Sequence, residues 1–588
     1  MNANTTRRAA SADIALLLEG TFPYVRGGVS SWVDQMIRAF PDKTFSIVFI
    51  GSREEDYDGQ LYELPANVVH LETHFLYTVE EPPLAEPAQG DPEAFARSAA
   101  LHTSLRSASQ RPEDIGALMA DVIPMIQPGG KLGEDQFLYS KTAWEYITQQ
   151  YNERCTDPSF TDYFWTVRIM HKPLWQLARI ADKLIPAKVY HTVSTGYAGF
   201  LGALLHYKTR RPLLVSEHGI YTKERKIDLL QTSWIRDNRG IFEKDISEVS
   251  YFRDLWVRFF EAIGKVCYSA GSDMISLFEG NRQRQIADGA PAERTRNIPN
   301  GIDVARFAKL REKRAPGVPQ TIALIGRVVS IKDVKTFIRA IFTVSRQFPD
   351  VEGWIAGPET EDPAYAQECR SLVQSLDLSR NVKFLGFQRV DELLPKVGIV
   401  ALSSISEGLP LVILEGYAAG VPVVSTDVGS CRQLIEGLEP DDVALGKAGE
   451  VVPIANPAAL ARALTNLLQD EQRWKDAQRA AIARVERYYT LDSMISSYRD
   501  IYDRLAAAPD AAKPTSKPMG GCPVDHTAMK QSAGAAAAHG ANGAHGANGA
   551  TRVAAGQADA GREGGMRPED VSHTSMPLAS NAPGKQGN

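Results

Sequence analysis

The chain of 588 residues carries 65 Lys and Arg against 71 Asp and Glu, a formal charge of -6, and is 44% hydrophobic, 8% aromatic and 23% charged. At roughly 100 to 200 residues per domain, that length excludes one small domain, and the lack of a basic excess excludes a dedicated nucleic-acid binder. Its 5 cysteines are scattered, with no C-x-x-C pair; this argues against a disulfide framework or a structural zinc site and fits a reducing cytosol.

In chain order, a flexible N-terminus (1–12) leads to the apolar run Ile14 to Leu18. That run is too short to span a bilayer and reads as a buried strand. No run of about 18 apolar residues follows, so no membrane-spanning helix is expected. A Gly-rich loop, Gly20 to Gly28, enters a helix at Val29 to Phe40, and Phe45 to Ile50 is the second strand. From about 52 to 158 the pattern is irregular and reads as an insertion. Phe160 to Leu184 has helical spacing, and Lys188 to His191, Leu213 to Ser216 and Val266 to Ser269 read as further strands.

A second alternation starts at the strand Ile322 to Ile325. It runs through a helix from Asp333, strands at Val351 to Ala356, Val382 to Phe384, Gly398 to Leu402 and Val421 to Ser425, and helices between 457 and 489. The expected fold class is therefore α/β, with two Rossmann-like doubly wound domains, 13–305 and 306–489, facing across a cleft at the carboxyl ends of their sheets. Residues 490–508 form a closing helix that could cross back to the first domain. The segment 509–588 has no Phe, Trp, Tyr or Ile and is rich in Ala, Gly and Pro, the composition of a disordered tail.

The strongest local signal is Ser406-Glu407-Gly408-Leu409-Pro410 followed by Leu411-Val412-Ile413-Leu414-Glu415. It lies after a strand, with Pro410 suited to a helix start. Eight residues of continuous helix would rotate the two carboxylates by about 80°, so Glu407 can share a ligand with Glu415 only from the loop before the helix. Free N–H groups and the positive helix end between them suit a diphosphate. Arg327 and Lys332, after another strand, can neutralise a leaving diphosphate without a metal. Gly27-Gly28 before a helix allows close backbone approach to a ligand, or is simply a tight turn. His218 follows a strand at a carboxyl end, where a ligand-facing histidine would sit, although a lone histidine is more often structural.

These motifs together resemble family-4 retaining glycosyltransferases of the GT-B fold: Glu407-x7-Glu415, the Gly326-Arg327…Lys332 block and Asn300-Gly301-Ile302-Asp303. With Glu19 to Trp32 and Ser216-Glu217-His218-Gly219-Ile220-Tyr221, the stretch from about Asp13 to Ala506 is similar to the cytosolic glycosyltransferases of Pel-type exopolysaccharide synthesis. The resemblance implies a UDP-sugar donor, a growing polysaccharide as acceptor, recruitment to inner-membrane synthase proteins, and no cofactor or metal. It assigns His218 and Glu407 to the donor sugar, Glu415 to the ribose, and Arg327, Lys332, Gly408, Leu409, Pro410, Gly27 and Gly28 to donor binding. It favours same-face attack through an ion-pair-like state over double displacement.

Three alternatives stay open: a glycosyltransferase of another glycan or glycolipid pathway, or a catalytically idle nucleotide-sugar-binding scaffold, or, at single motifs, no function at all. Asp56-Tyr57-Asp58 matches a metal-binding D-x-D but reads as a solvated loop. Gly521-Cys522-Pro523, near His526, contains a haem-regulatory-like dipeptide or an adventitious metal site, each a weak match.

Overall fold

The computed structural model describes residues 8–77, 88–107, 111–232, 234–235, 237–238 and 249–509. The first seven residues and the expected tail beyond residue 509, with Cys522 and His526, lie outside the described residues.

The chain begins with β1 (Ala12–Glu19), α1 (Gly28–Ala39), β2 (Phe45–Gly51) and β3 (Val68–Phe75). Five helices follow: α2 (Pro92–Arg106), α3 (Pro112–Ile126), α4 (Glu134–Tyr139), α5 (Lys141–Arg154) and α6 (Phe160–Lys183). Alternation resumes with β4 (Ala187–Thr192), α7 (Tyr197–Thr209), β5 (Leu213–Glu217), α8 (Tyr221–Gln231), α9 (Tyr251–Ala270), β6 (Gly271–Ser276), α10 (Glu279–Ala287) and β7 (Thr295–Asn297). These strands form one 7-stranded parallel sheet in the order β3-β2-β1-β4-β5-β6-β7. The order reverses at β1 and β4, which opens a crevice at their carboxyl ends.

The second unit runs α11 (Val304–Ala308), β8 (Thr321–Ile325), α12 (Val334–Ser345), β9 (Glu352–Ala356), α13 (Pro363–Ser375), β10 (Val382–Gly386), α14 (Val390–Leu393), β11 (Ile399–Leu402) and α15 (Leu411–Ala418). It ends with β12 (Val423–Thr426), α16 (Cys431–Glu436), α17 (Pro440–Val443), β13 (Gly449–Val452), α18 (Pro457–Gln469), α19 (Glu471–Tyr488) and α20 (Leu491–Ala507). Its sheet is 6-stranded and parallel, in the order β10-β9-β8-β11-β12-β13, with the switch at β8 and β11. The two doubly wound units expected from the sequence are both present.

Strand alternation divides each core in two. Along β1, Ile14, Leu16 and Leu18 pack on one face with Trp32, Val33 and Met36 of α1, while Ala15 and Leu17 pack on the other with α7, α9 and the inserted helices. In the second unit Ile322 and Leu324 face α12 and α18, and Ala323 faces α15 and α19. Helix α20 leaves the second unit and places Met494, Tyr498, Ile501, Tyr502 and Leu505 in the first unit's core beside α1.

Two sequence expectations need correction. Val266 to Ser269 is the last turn of α9, not a strand; Phe252, Trp256, Phe260, Ile263, Val266 and Cys267 keep helical spacing on its buried face, and the strand begins at Gly271. Within the stretch read as an insertion, 68–75 is the edge strand β3, and the helices outside the sheet pattern are α2 to α5.

Candidate functional site

Adjacent strands β8 and β11 each end in a loop, and the two loops are tied together. The Ile405 amide donates to Ile331 O at 2.8 Å, and Ser403 Oγ donates to Lys332 O at 2.9 Å. This ties Lys332, in a 3₁₀ turn at Ser330–Lys332, to the Glu407 loop. Lys332 Nζ donates to Glu407 Oε1 at 2.5 Å, and Ser404 Oγ donates to the same oxygen at 2.6 Å. The carboxylate is 11% exposed and the ammonium 23%, so the pair is recessed but reachable.

Two glycines let the backbones approach. A side chain at Gly429, whose φ is 54°, would place its Cβ 2.2 Å from Glu407 O, and one at Gly357 would place it 1.9 Å from Gly326 O. Neither position tolerates a Cβ without moving a loop that carries the charged groups. The Ser430 amide donates to Gly408 O at 2.9 Å, which fixes the loop from its other side.

The remaining expected residues divide among several neighbours. Arg327 is 43% exposed and is paired with Glu361 at 2.6 Å. The Glu415 carboxylate has no hydrogen bond among the described residues; burial raises its pKa, the Arg306 guanidinium opposes this and Asp391 adds to it, and Arg306 is itself held by Asp391 at 2.8 Å. Leu409 is buried in the second unit's core, so only its backbone is available to a ligand. Pro410 is the N-cap of α15. Ile413 makes the first intrahelical bond, to Pro410 O, which leaves the amides of Leu411 and Val412 at the open helix end.

Across the cleft, His218 follows β5, and its carbonyl oxygen lies 3.3 Å from where a Cβ on Gly408 would sit. Its ring meets Trp32 edge-on at 4.6 Å, and its buried Nε2 has no hydrogen-bond partner. Side-chain alternation explains its surroundings. Ser216, two residues back on the same face, accepts from Tyr498 of α20 at 3.1 Å and is bonded to His191 Nε2 at 2.9 Å. His191 Nδ1 is bonded to Tyr502 at 2.7 Å. Between them, Glu217 turns inward and accepts from Tyr268 at 2.6 Å, Gln285 at 2.9 Å and Thr195 at 3.0 Å. On β1, Glu19 accepts from Tyr221 at 2.8 Å and from the Ala198 amide at 3.1 Å. The Tyr498–Ser216–His191 relay and Trp32 had no signal as a group, because they come from four distant segments.

Gly27 is extended rather than turned, and neither it nor Gly28 has any atom within 4 Å of an added Cβ. The pair leaves the first turn of α1, which contains no acidic residue, open to solvent. At the D-x-D, Asp56 accepts from the Arg53 amide at 3.2 Å in a 3₁₀ turn, and Tyr57 packs on Phe49 at 5.2 Å. Among the described residues no three His, Cys, Asp or Glu side chains are grouped to hold a metal.

Burial lowers the pKa of His218 to about 4 and that of His191 to about 3. Both lie below the ordinary 6.5, so the folded chain binds these protons less readily than the unfolded one. Their contribution is complete above pH 6.5 and is lost as pH falls toward about 4 for His218 and about 3 for His191. The thermal midpoint should therefore drop between pH 6.5 and 4, and His218→Gln, which does not titrate, should drop less steeply. An unchanged slope would show that His218 is not held neutral.

Two family descriptions match the chain: a domain of unknown function (DUF3492) over residues 12–293, and Glycosyl transferases group 1 over residues 306–484. A D-inositol 3-phosphate glycosyltransferase of Corynebacterium urealyticum is 28% identical over 283 residues, 44% of this chain and 63% of that protein. A phosphatidyl-myo-inositol mannosyltransferase of Mycolicibacterium smegmatis is 32% identical over 205 residues, 32% of this chain and 47% of that protein. The chain thus spans about half the length of the curated relatives it matches. Among solved structures, Anabaena HepE with UDP aligns at 15% identity and TM-score 0.48, and sucrose-phosphate synthase of Thermosynechococcus elongatus at 16% and 0.48; each alignment covers 84% of this chain and 100% of the other. These likenesses are weak, and the fold assignment stands on the two parallel sheets themselves. Residues 306–484, which carry Arg327, Lys332, Glu407 and Glu415, are the part that matches the Glycosyl transferases group 1 description.

Proposed function

We propose that the chain is a retaining glycosyltransferase that moves a hexose or N-acetylhexosamine from a UDP-sugar to a growing exopolysaccharide of the Pel type. The observation that carries a transferase reading is the Lys332–Glu407–Ser404 constellation on two tied loops opposite His218. The uridine donor and the pathway rest on sequence resemblance. In the proposed reaction the sugar C1–O bond to the diphosphate breaks, the acceptor oxygen bonds to C1 on the same face, and the acceptor proton passes to the departing phosphate. Lys332, the open end of α15 and a re-paired Arg327 would neutralise that phosphate. Glu407 would orient the donor sugar, Glu415 the ribose, and neutral His218 would contact the donor sugar. No metal is required in this scheme.

No helix among the described residues is long and apolar enough to cross a membrane. The resemblance on which the proposal rests would place the enzyme in the cytoplasm, recruited to inner-membrane synthase proteins. The test is nucleoside diphosphate release across a panel of UDP-, GDP- and ADP-sugars, with and without membranes and EDTA. Release with a UDP-sugar that survives EDTA is expected; no release with any UDP-sugar would overturn the donor, and loss in EDTA would overturn metal independence. The inositol-related names of the curated relatives favour a second reading, transfer to an inositol phosphate or glycolipid. Product formed on such an acceptor, with none on polysaccharide, would select it.

A further inference from the structure

Away from the cleft, helices α2, α5, α6 and α9 border a cavity of about 350 Å³. Phe137, Val167, Met170 and Phe259 give it an apolar floor. At His102 and His171 it adjoins a second cavity of about 110 Å³, whose inner wall is Leu132, Trp175 and Val266. The larger one lies within the size range of small-molecule sites.

Its other wall is polar. Tyr146, Tyr163, Tyr251, Arg106 and Arg154 all line it, and among the described residues none of their phenol or guanidinium groups has a hydrogen bond or ion pair. Nearby groups show that partners are normally found in this region. Arg258 pairs with Asp254 at 2.5 Å, Lys265 donates to Leu105 O at 2.9 Å, and Tyr151 donates to Pro158 O at 2.8 Å. Tyr163 is only 5% exposed, and burial pushes its phenol pKa up. Burial and the like charge of Arg154 both work against the Arg106 guanidinium. Two guanidiniums held near each other without an acid repel, and an anion between them removes the repulsion. Among the lining residues Glu261 is the one carboxylate, against Arg106, Arg154, Arg258 and Lys265.

We propose that this cavity is a binding site for an anionic amphiphile, with a phosphate head held by Arg106, Arg154 and the three tyrosine hydroxyls, and an aliphatic chain lying over Phe137 and Phe259 toward Leu132 and Trp175. The chemistry suits a soluble chain phosphate and a membrane lipid phosphate equally. The site does not depend on the glycosyltransferase reading.

Calorimetry of the full chain with dodecyl phosphate below its micelle concentration tests it. One saturable site is expected, weakened about tenfold or more in the Arg106→Gln/Arg154→Gln double variant. Inorganic phosphate and dodecanol, each lacking half of the ligand, should bind at least as weakly. Ala262→Phe, which adds bulk where both cavities meet, should weaken binding without touching a charge, and it serves if the double variant does not fold. Absence of saturable binding to the wild type, or wild-type affinity in Ala262→Phe and in a folded double variant, would overturn the site. Phosphatidate vesicles that capture the wild type but not the variants would identify a membrane lipid as the source; binding restricted to the free amphiphile would identify a soluble one.

Discussion

Glu407→Ala should lower the rate of sugar transfer by roughly 10²–10³-fold, the usual cost of removing one preorganised electrostatic group from an active site, while leaving the fold intact. The carboxylate is 11% exposed and sits on a loop, so little packing is lost. What is lost is the shared acceptor of Lys332 Nζ at 2.5 Å and Ser404 Oγ at 2.6 Å. Without it the lysine is released from its fixed position, and its charge no longer has a counterpart that donor binding must rearrange. Glu407→Gln keeps the shape and removes the charge, and should be impaired nearly as much. Gly429→Ala supplies a positional control: the added Cβ would lie 2.2 Å from Glu407 O and must push the loop aside. Its effect should therefore follow that of Glu407→Ala although it touches no ligand-facing atom. Initial rates of nucleoside diphosphate release, with UDP affinity measured by calorimetry, separate the cases. If UDP binding survives Glu407→Ala and polymer output in cells is unchanged, the idle-scaffold reading replaces the enzyme.

The fold was legible wherever one local rule dominated. The apolar runs at 14–18, 322–325 and 399–402 are buried on both faces and read directly as parallel strands. Strand β3, Val-Val-His-Leu-Glu-Thr-His-Phe, was not legible: it is an edge strand whose His70 and His74 both bond Glu72, at 2.8 and 3.0 Å, and it lacks a continuous apolar run. Val266 to Ser269 looked like a strand because four residues carry too little periodicity to distinguish it from a helix end. At the site, Lys332 and Glu407 were legible as motif members, and the structure joins them. The partners of Arg327 and Glu415 were not, because Glu361 comes from another loop and Arg306 and Asp391 from the short helices α11 and α14, and they match no short pattern. The same holds for Trp32, His191 and Tyr498 around His218, which chain topology alone brings together.

Arg484→Met should be the most destabilising single change in the second unit. Arg484 is fully buried on α19, and every polar edge of its guanidinium is used: Nε donates to Asp442 Oδ1 at 2.6 Å, Nη1 to Ile435 O at 2.8 Å, and Nη2 to Asp442 O and Gly446 O at 2.9 Å. One side chain thus closes the loops around α16 and α17 onto α19. Methionine fills much of the volume but strips the counter-charge from a carboxylate that is itself 4% exposed and takes one donor each from the carbonyls of Leu434, Ile435, Asp442 and Gly446. Breaking a buried pair in this way costs about 3–5 kcal/mol; an exposed pair such as Arg380–Asp350, at 81% and 78% exposure, is worth roughly 0.2–1 kcal/mol. At about 2–4 °C per kcal/mol for a unit of this size, the thermal midpoint should fall by roughly 6–20 °C, whereas Arg380→Ala should shift it little. Adding Asp442→Asn removes the stranded charge and should restore part of the loss, but not the four carbonyl bonds. The consequence reaches the site because α19 packs Ala480, Ala481 and Val485 against the α15 side chains Leu414 and Tyr417, next to Glu415. Transfer activity of Arg484→Met should therefore match wild type per folded molecule at low temperature and disappear at the lowered midpoint. A midpoint within about 2 °C of wild type would mean that the guanidinium contributes no more than an exposed pair.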